Sequence, residues 1–144
     1  MKNKFTLLLF LFLSPVIFSQ EKKNPTKDVP FSIIEKVPVY PGCTGEDNEI
    51  LKKCMSKKIG EHIAKKFKTS IAKKLKLKPG IQRINVQFTI NKNGDVVNIH
   101  AKASHPKLEK EAIRVVKSLP RMEPGMQKGK AVGVFYALPI KFKI

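Results

Sequence analysis

The residues of this chain with reactive or metal-binding chemistry are few. Cys43 and Cys54 are the only cysteines, an even pair in a short chain. In an oxidising compartment such a pair forms a disulfide, and closing so short a loop removes about 3 kcal/mol of unfolded-chain entropy. Two thiols cannot build a Cys₄ zinc site and no histidine stands at finger spacing from them, so metal binding is the second alternative. His62, His100 and His105 lack a second histidine or a carboxylate at helical ligand spacing on the same face. Strand-edge or capping roles suit His100 and His105 better than catalysis.

Gly125-Met126-Gln127-Lys128-Gly129-Lys130-Ala131 is the nearest approach to a phosphate loop. It has one residue too few between its glycines, Ala131 where a magnesium-binding hydroxyl is needed, and a strand pattern after it where the phosphate needs a helix N-terminus. Serines 56, 70, 104 and 118 have no nucleophile-elbow context, and the acidic residues are scattered among lysines. Nothing among these residues resembles an active site, so neither catalysis, a cofactor nor a resident metal is expected.

The chain carries 29 basic and 11 acidic residues, a formal net charge of +18 over 144 residues. Lys2 and Lys4 precede an apolar run from Phe5 to Phe18, and Ser19-Gln20 opens a polar stretch. That is the pattern of a secretory signal peptide over residues 1–20, cleaved near Ser19 or Gln20. As a helix the run spans about 21 Å, short of a hydrocarbon core of roughly 30 Å, and Pro15 interrupts it. The alternative is an uncleaved inner-membrane anchor facing the periplasm. An exported protein meets no genome, which removes nucleic acid as a partner. The available counter-charges are anionic lipid headgroups, the envelope polymer or an acidic protein segment, and a merely solubilising cationic surface explains the charge equally well.

The elements that must position any site follow from periodicity. Ile84, Val86, Phe88 and Ile90 alternate with polar residues as in a half-buried strand, Asn91-Lys92-Asn93-Gly94-Asp95 supplies a turn, and Val97, Ile99 and Ala101 resume the alternation. Ile50, Leu51, Cys54, Met55, Ile59, Ile63 and Phe67 recur at helical steps from a cap at Asp47 or Asn48. Thr69 or Ser70 caps a shorter helix with Ile71, Ala72 and Leu75 inward, stopped by Pro79-Gly80. Ser104 or His105 caps another helix, with Pro106 in its first turn and Leu108, Ala112, Val115, Val116 and Leu119 as its apolar stripe. Residues 21–42 read as an extended linker, and Arg121 to Lys130 as a Pro/Gly/Lys-rich connection. Val132, Val134, Tyr136, Leu138, Ile140 and Phe142 alternate as a final strand, and Pro139 within it argues for a sheet edge.

The expected architecture is therefore α+β, with element order α-α-β-β-α-β over residues 43–144. The three strands form an antiparallel-type sheet in the order second, first, third, with helices on one face.

The stretch from Ile81 to Phe142 resembles the C-terminal domain of TonB, the energy transducer of Gram-negative envelopes. The likeness rests on Asn93-Gly94-Asp95-Val96, on Ser104 through Ala112, and on Leu119-Pro120, Pro124-Gly125, Gly129-Lys130 and Leu138-Pro139-Ile140 in that order. The resemblance implies a periplasmic module that pairs an edge strand with an extended segment of an outer-membrane receptor, in energy-dependent transport across the envelope. On this chain that edge is Val132, Gly133, Val134, Phe135, Tyr136, Ala137 and Leu138. Inner-membrane proton-driven motor proteins are a further implied partner; the alternative for the edge itself is that the N-terminal segment or a second copy of the domain covers it. The rival reading is a stand-alone cationic adaptor for cell-wall polymer, anionic lipid or another envelope protein.

Overall fold

Alternation of apolar and polar residues over 81–90 produces the longest strand of the hairpin, and the helices share one core with its apolar side. The computed structural model describes residues 28–144; the predicted signal peptide lies outside the described residues. In chain order the elements are β1 (Val29–Pro30), α1 (Asn48–Lys66), α2 (Ser70–Lys74), β2 (Ile81–Ile90), β3 (Val96–Lys102), α3 (Pro106–Lys117), β4 (Gly125–Gln127), β5 (Lys130–Val132) and β6 (Val134–Lys143). The fold is α+β, with a mixed four-stranded sheet in the order β1-β6-β2-β3 and a separate β4-β5 ribbon.

The expected order of the three long strands holds, with β6 antiparallel to β2 from Ile90↔Val134 to Ile81↔Lys143. The expected count of three does not. β1 adds a fourth strand, parallel to β6, through Val29↔Val134 and Pro30↔Phe135. A two-residue strand leaves no alternation to read. The predicted connection from Arg121 to Lys130 contains β4 and the turn into β5. Lys128 and Gly129 both take positive φ, the geometry of a two-residue hairpin turn whose twist matches its strands.

The hairpin itself carries a correction of parity. The β2–β3 register slips between Gln87 and Thr89, and Asn98 takes φ 51° at the irregularity. Val96, Ile99 and Ala101 therefore pack on the core, and Val97 does not. At the turn, Gly94 takes φ 85°, and a Cβ there would overlap the Met122 carbonyl oxygen. Its own carbonyl accepts from Met122 N–H at 3.0 Å, which locks the turn to the segment after α3.

Asp47 caps α1 by accepting from the N–H groups of Glu49 and Ile50. Leu51, Met55, Ile59 and Ile63 are buried one turn apart, whereas Ile50, expected inward, is 57% exposed. His105 caps α3, its Nδ1 accepting from Lys107 N–H. Leu108, Ala112, Val115 and Val116 of α3 meet Ile84, Val86, Phe88 and Ile90 of β2 in one core.

Residues 28–42 depart most from the linker reading. Ile34, Val37 and Tyr40 are buried in that same core. Lys36 and Val39 bridge to Met126 and Glu123. The Asn48 side chain accepts from Val37 N–H and donates to the Ile34 and Glu35 carbonyls. The Cys43–Cys54 disulfide, Cα–Cα 5.9 Å, ties the segment to α1. Its prolines set an extended path, and pairing with residues 123–126 converts that path into part of the fold.

Candidate functional site

Successive residues of a strand aim their backbone groups to opposite sides, so two hydrogen bonds fix the parity of β6. The Gly133 and Phe135 carbonyls accept from Val29 and Phe31 N–H at 2.8 and 3.0 Å, away from β2. At the far end Ile144 exchanges bonds with Gly80 on the β2 side. Even-numbered residues of β6 thus pair inward, and Ala137, Pro139, Lys141 and Lys143 aim outward. Beyond Phe31 no backbone partner meets these four among the described residues. Pro139 is one of the outward residues, so its missing donor leaves no gap in the β2 ladder.

Beside this open edge, α1 and β6 enclose a groove of about 390 Å³. Ile63, Ala64 and Phe67 form one wall, and Leu138, Ile140 and Phe142 the other. The Phe67 and Phe142 rings lie 5.3 Å apart at its floor. Gly60, in the middle of α1, also lines it, and a Cβ there would meet nothing within 4 Å.

The seven predicted edge residues divide accordingly. Val132 belongs to β5, opposite Gly125. Gly133 and Phe135 are capped by the β1 segment. Asp28 fills the space a side chain at Gly133 would need, and its carboxylate accepts from the buried Thr89 hydroxyl at 2.7 Å. Val134, Tyr136 and Leu138 pair with β2, and Tyr136 exchanges a hydrogen bond with Ser56 of α1. Of the seven, Ala137 has outward backbone groups that meet no partner among the described residues, and Leu138 lines the groove. The open part of the edge extends through Pro139, Lys141 and Lys143, to which Pro139 itself was the signal. Gly60 and Ala64 carried no signal beyond a glycine placed inside a helix.

A second groove, of about 450 Å³, lies between α2 and α3. Ile71 and Leu75 floor it and Lys74, Lys107 and Lys110 rim it. At its end Glu111, 7% exposed, accepts from Lys68 N–H at 3.0 Å and from Arg114 Nε at 2.8 Å. The Arg114 hydrogen bond holds the Glu111 carboxyl below its ordinary value against the opposing effect of burial. His62 hydrogen-bonds Ser118 Oγ at 2.9 Å, and burial, then Lys66, lower its pKa. His62, His100 and His105 stand on α1, β3 and the α3 cap, and the structure does not bring them together. Among the described residues, no helix is long and apolar enough to cross a membrane.

Residues 71–144, from α2 to the end of the chain, match the family described as Gram-negative bacterial TonB protein C-terminal. No curated protein matches the chain. The matched stretch contains β2, β3, α3 and β6; β1, the disulfide and α1 precede it.

Proposed function

We propose that this chain, which belongs to the family of Gram-negative TonB C-terminal domains, is an exported strand-pairing module of the cell envelope that takes an extended segment of an outer-membrane receptor onto the open edge of β6. The observation that carries this reading is the outward backbone of Ala137, Pro139, Lys141 and Lys143, unpaired among the described residues and beside a largely apolar groove. An extended segment adds to such an edge through main-chain hydrogen bonds, and pockets for alternate side chains add selectivity. The module does no bond chemistry. Its role in transport is to hold the receptor while force reaches it from elsewhere, and the inner-membrane motor proteins are the proposed source. Export by cleavage near Ser19 or Gln20 places it in the periplasm.

The test removes one outward donor without touching the inner ladder. Lys141→Pro deletes an outward N–H and sets a ring against any incoming strand, and is expected to weaken a receptor-derived peptide about tenfold, the worth of roughly one hydrogen bond and its contact. Val134→Pro removes an inward N–H and is expected to disrupt the sheet instead. Unchanged peptide binding by a folded Lys141→Pro chain refutes the reading.

A second reading, the cationic adaptor, is favoured by the lysine-rimmed groove between α2 and α3. It predicts salt-sensitive binding to anionic vesicles that survives Lys141→Pro.

A further inference from the structure

The chain already shows how a strand seats on this edge. Val29 and Pro30 run parallel to β6, Phe31 N–H donates to the Phe135 carbonyl, and the Phe31 ring turns to the helix side and packs edge-on against Tyr136 at 4.7 Å. The chain then leaves the sheet through a turn, Ile33 N–H donating to the Pro30 carbonyl. The edge and the groove under α1 both continue past the point where the chain departs. A partner strand laid on Ala137 to Lys143 lies about 4.8 Å from β6 and directs every second side chain to the helix side, into that groove.

Gly60 forms part of the α1 wall. A glycine inside a helix is destabilising relative to alanine. The usual reasons for one are missing here: Gly60 has no positive φ, and no neighbouring atom stands within 4 Å of where its Cβ would lie. What a larger side chain there would do is fill the groove. The walls offer Ile63, Phe67, Leu138 and Phe142, with Thr69 and Lys141 as the polar part of the lining, so most of the surface a partner side chain meets there is apolar.

We infer that the groove beneath α1 reads one bulky apolar side chain of the partner strand, and that Gly60 sets the size it accepts. The inference rests on the edge-pairing reading and adds a specificity position to it. It concerns α1, which lies outside the residues that match the family. The occupant is an extended peptide with leucine or phenylalanine at one helix-facing position, repeating on a partner what Phe31 does within the chain.

The experiment uses the full exported chain and fluorescein-labelled synthetic peptides of alternating threonine and valine, with the central helix-facing residue varied among alanine, valine, leucine and phenylalanine. Binding is read by fluorescence anisotropy. The wild-type chain should favour leucine or phenylalanine over alanine by about tenfold, the range set by a few methylenes in an apolar pocket. Gly60→Leu should reverse the order, losing the bulky peptides and keeping the alanine one. Gly60→Ala serves as the folding control, since the added Cβ meets nothing and favours the helix. A preference unchanged in Gly60→Leu, or no preference in the wild type, overturns the pocket and leaves edge pairing standing. Binding of none of the peptides by the wild type overturns edge pairing and the pocket together, and loss of every peptide by a Gly60→Leu chain with native circular dichroism overturns size selection.

Discussion

Replacing Glu111 by glutamine tests how the C-terminal end of α1, the wall of the groove, is held against α3. The Glu111 carboxylate accepts from Lys68 N–H just past α1 and from two Arg114 nitrogens, while Arg114 also donates to the Lys66 carbonyl. Glutamine preserves the shape and one acceptor oxygen but turns an NH₂ donor toward the guanidinium. Hydrogen bonds to a charged group contribute about 1.5–3 kcal/mol, and Arg114 is half-exposed, so solvent discounts its share. The expected loss at pH 7 is about 2 kcal/mol, read from urea denaturation by circular dichroism. The pH dependence follows from the direction of the shift. The folded carboxyl lies below its ordinary value of 4.5, so its contribution is complete above that value and is lost as pH falls through the lower folded value. Wild type and Glu111→Gln should therefore converge in stability in acid. A gap that is absent at pH 7, or that persists undiminished at pH 2, refutes the charge-assisted tether.

Gly94→Ala forces a side chain into the left-handed region and onto the Met122 backbone, and should destabilise the chain by about 2–4 kcal/mol in the same assay. Cys54→Ala should cost about 3 kcal/mol in non-reducing buffer, and reduction of the wild type should reproduce the loss; two titratable thiols in unreduced protein would contradict the disulfide. Phe31→Ala, by removing the ring on Tyr136, should loosen the β1 segment from the Gly133 and Phe135 carbonyls and speed amide exchange at Val29 and Phe31 while leaving β2–β3 protected. Mass spectrometry of envelope-fraction protein should find the N-terminus near Gln20 or Glu21, and intact Met1 in that fraction would restore the anchor.

Periodic signals determined the long elements. The alternation at Ile84 to Ile90 and Val134 to Phe142, the helical steps of Leu51 to Ile63 and Leu108 to Val116, and the cap positions, narrowed to Asp47 or Asn48 and to Ser104 or His105, are local facts, each fixed by residues within a turn or a strand of one another; the structure selects Asp47 and His105. Pro139 reported an open edge because a missing N–H is tolerated only where no ladder bond is needed. The tertiary structure decided what depends on distant partners. β1 exists only because β6 offers it carbonyls, and residues 34–40 become core only because Glu123 to Met126 and Asn48 satisfy their backbone. The parity of Val96 and Val97 turns on one residue in a left-handed conformation at Asn98, invisible to an alternation count. The groove under α1 has walls from residues about eighty positions apart, and Gly60 becomes meaningful only when Leu138 and Phe142 stand opposite it. Local periodicity fixes which face of an element is apolar; which faces meet, and which edge stays open, is set by contacts between segments that the linear order keeps apart.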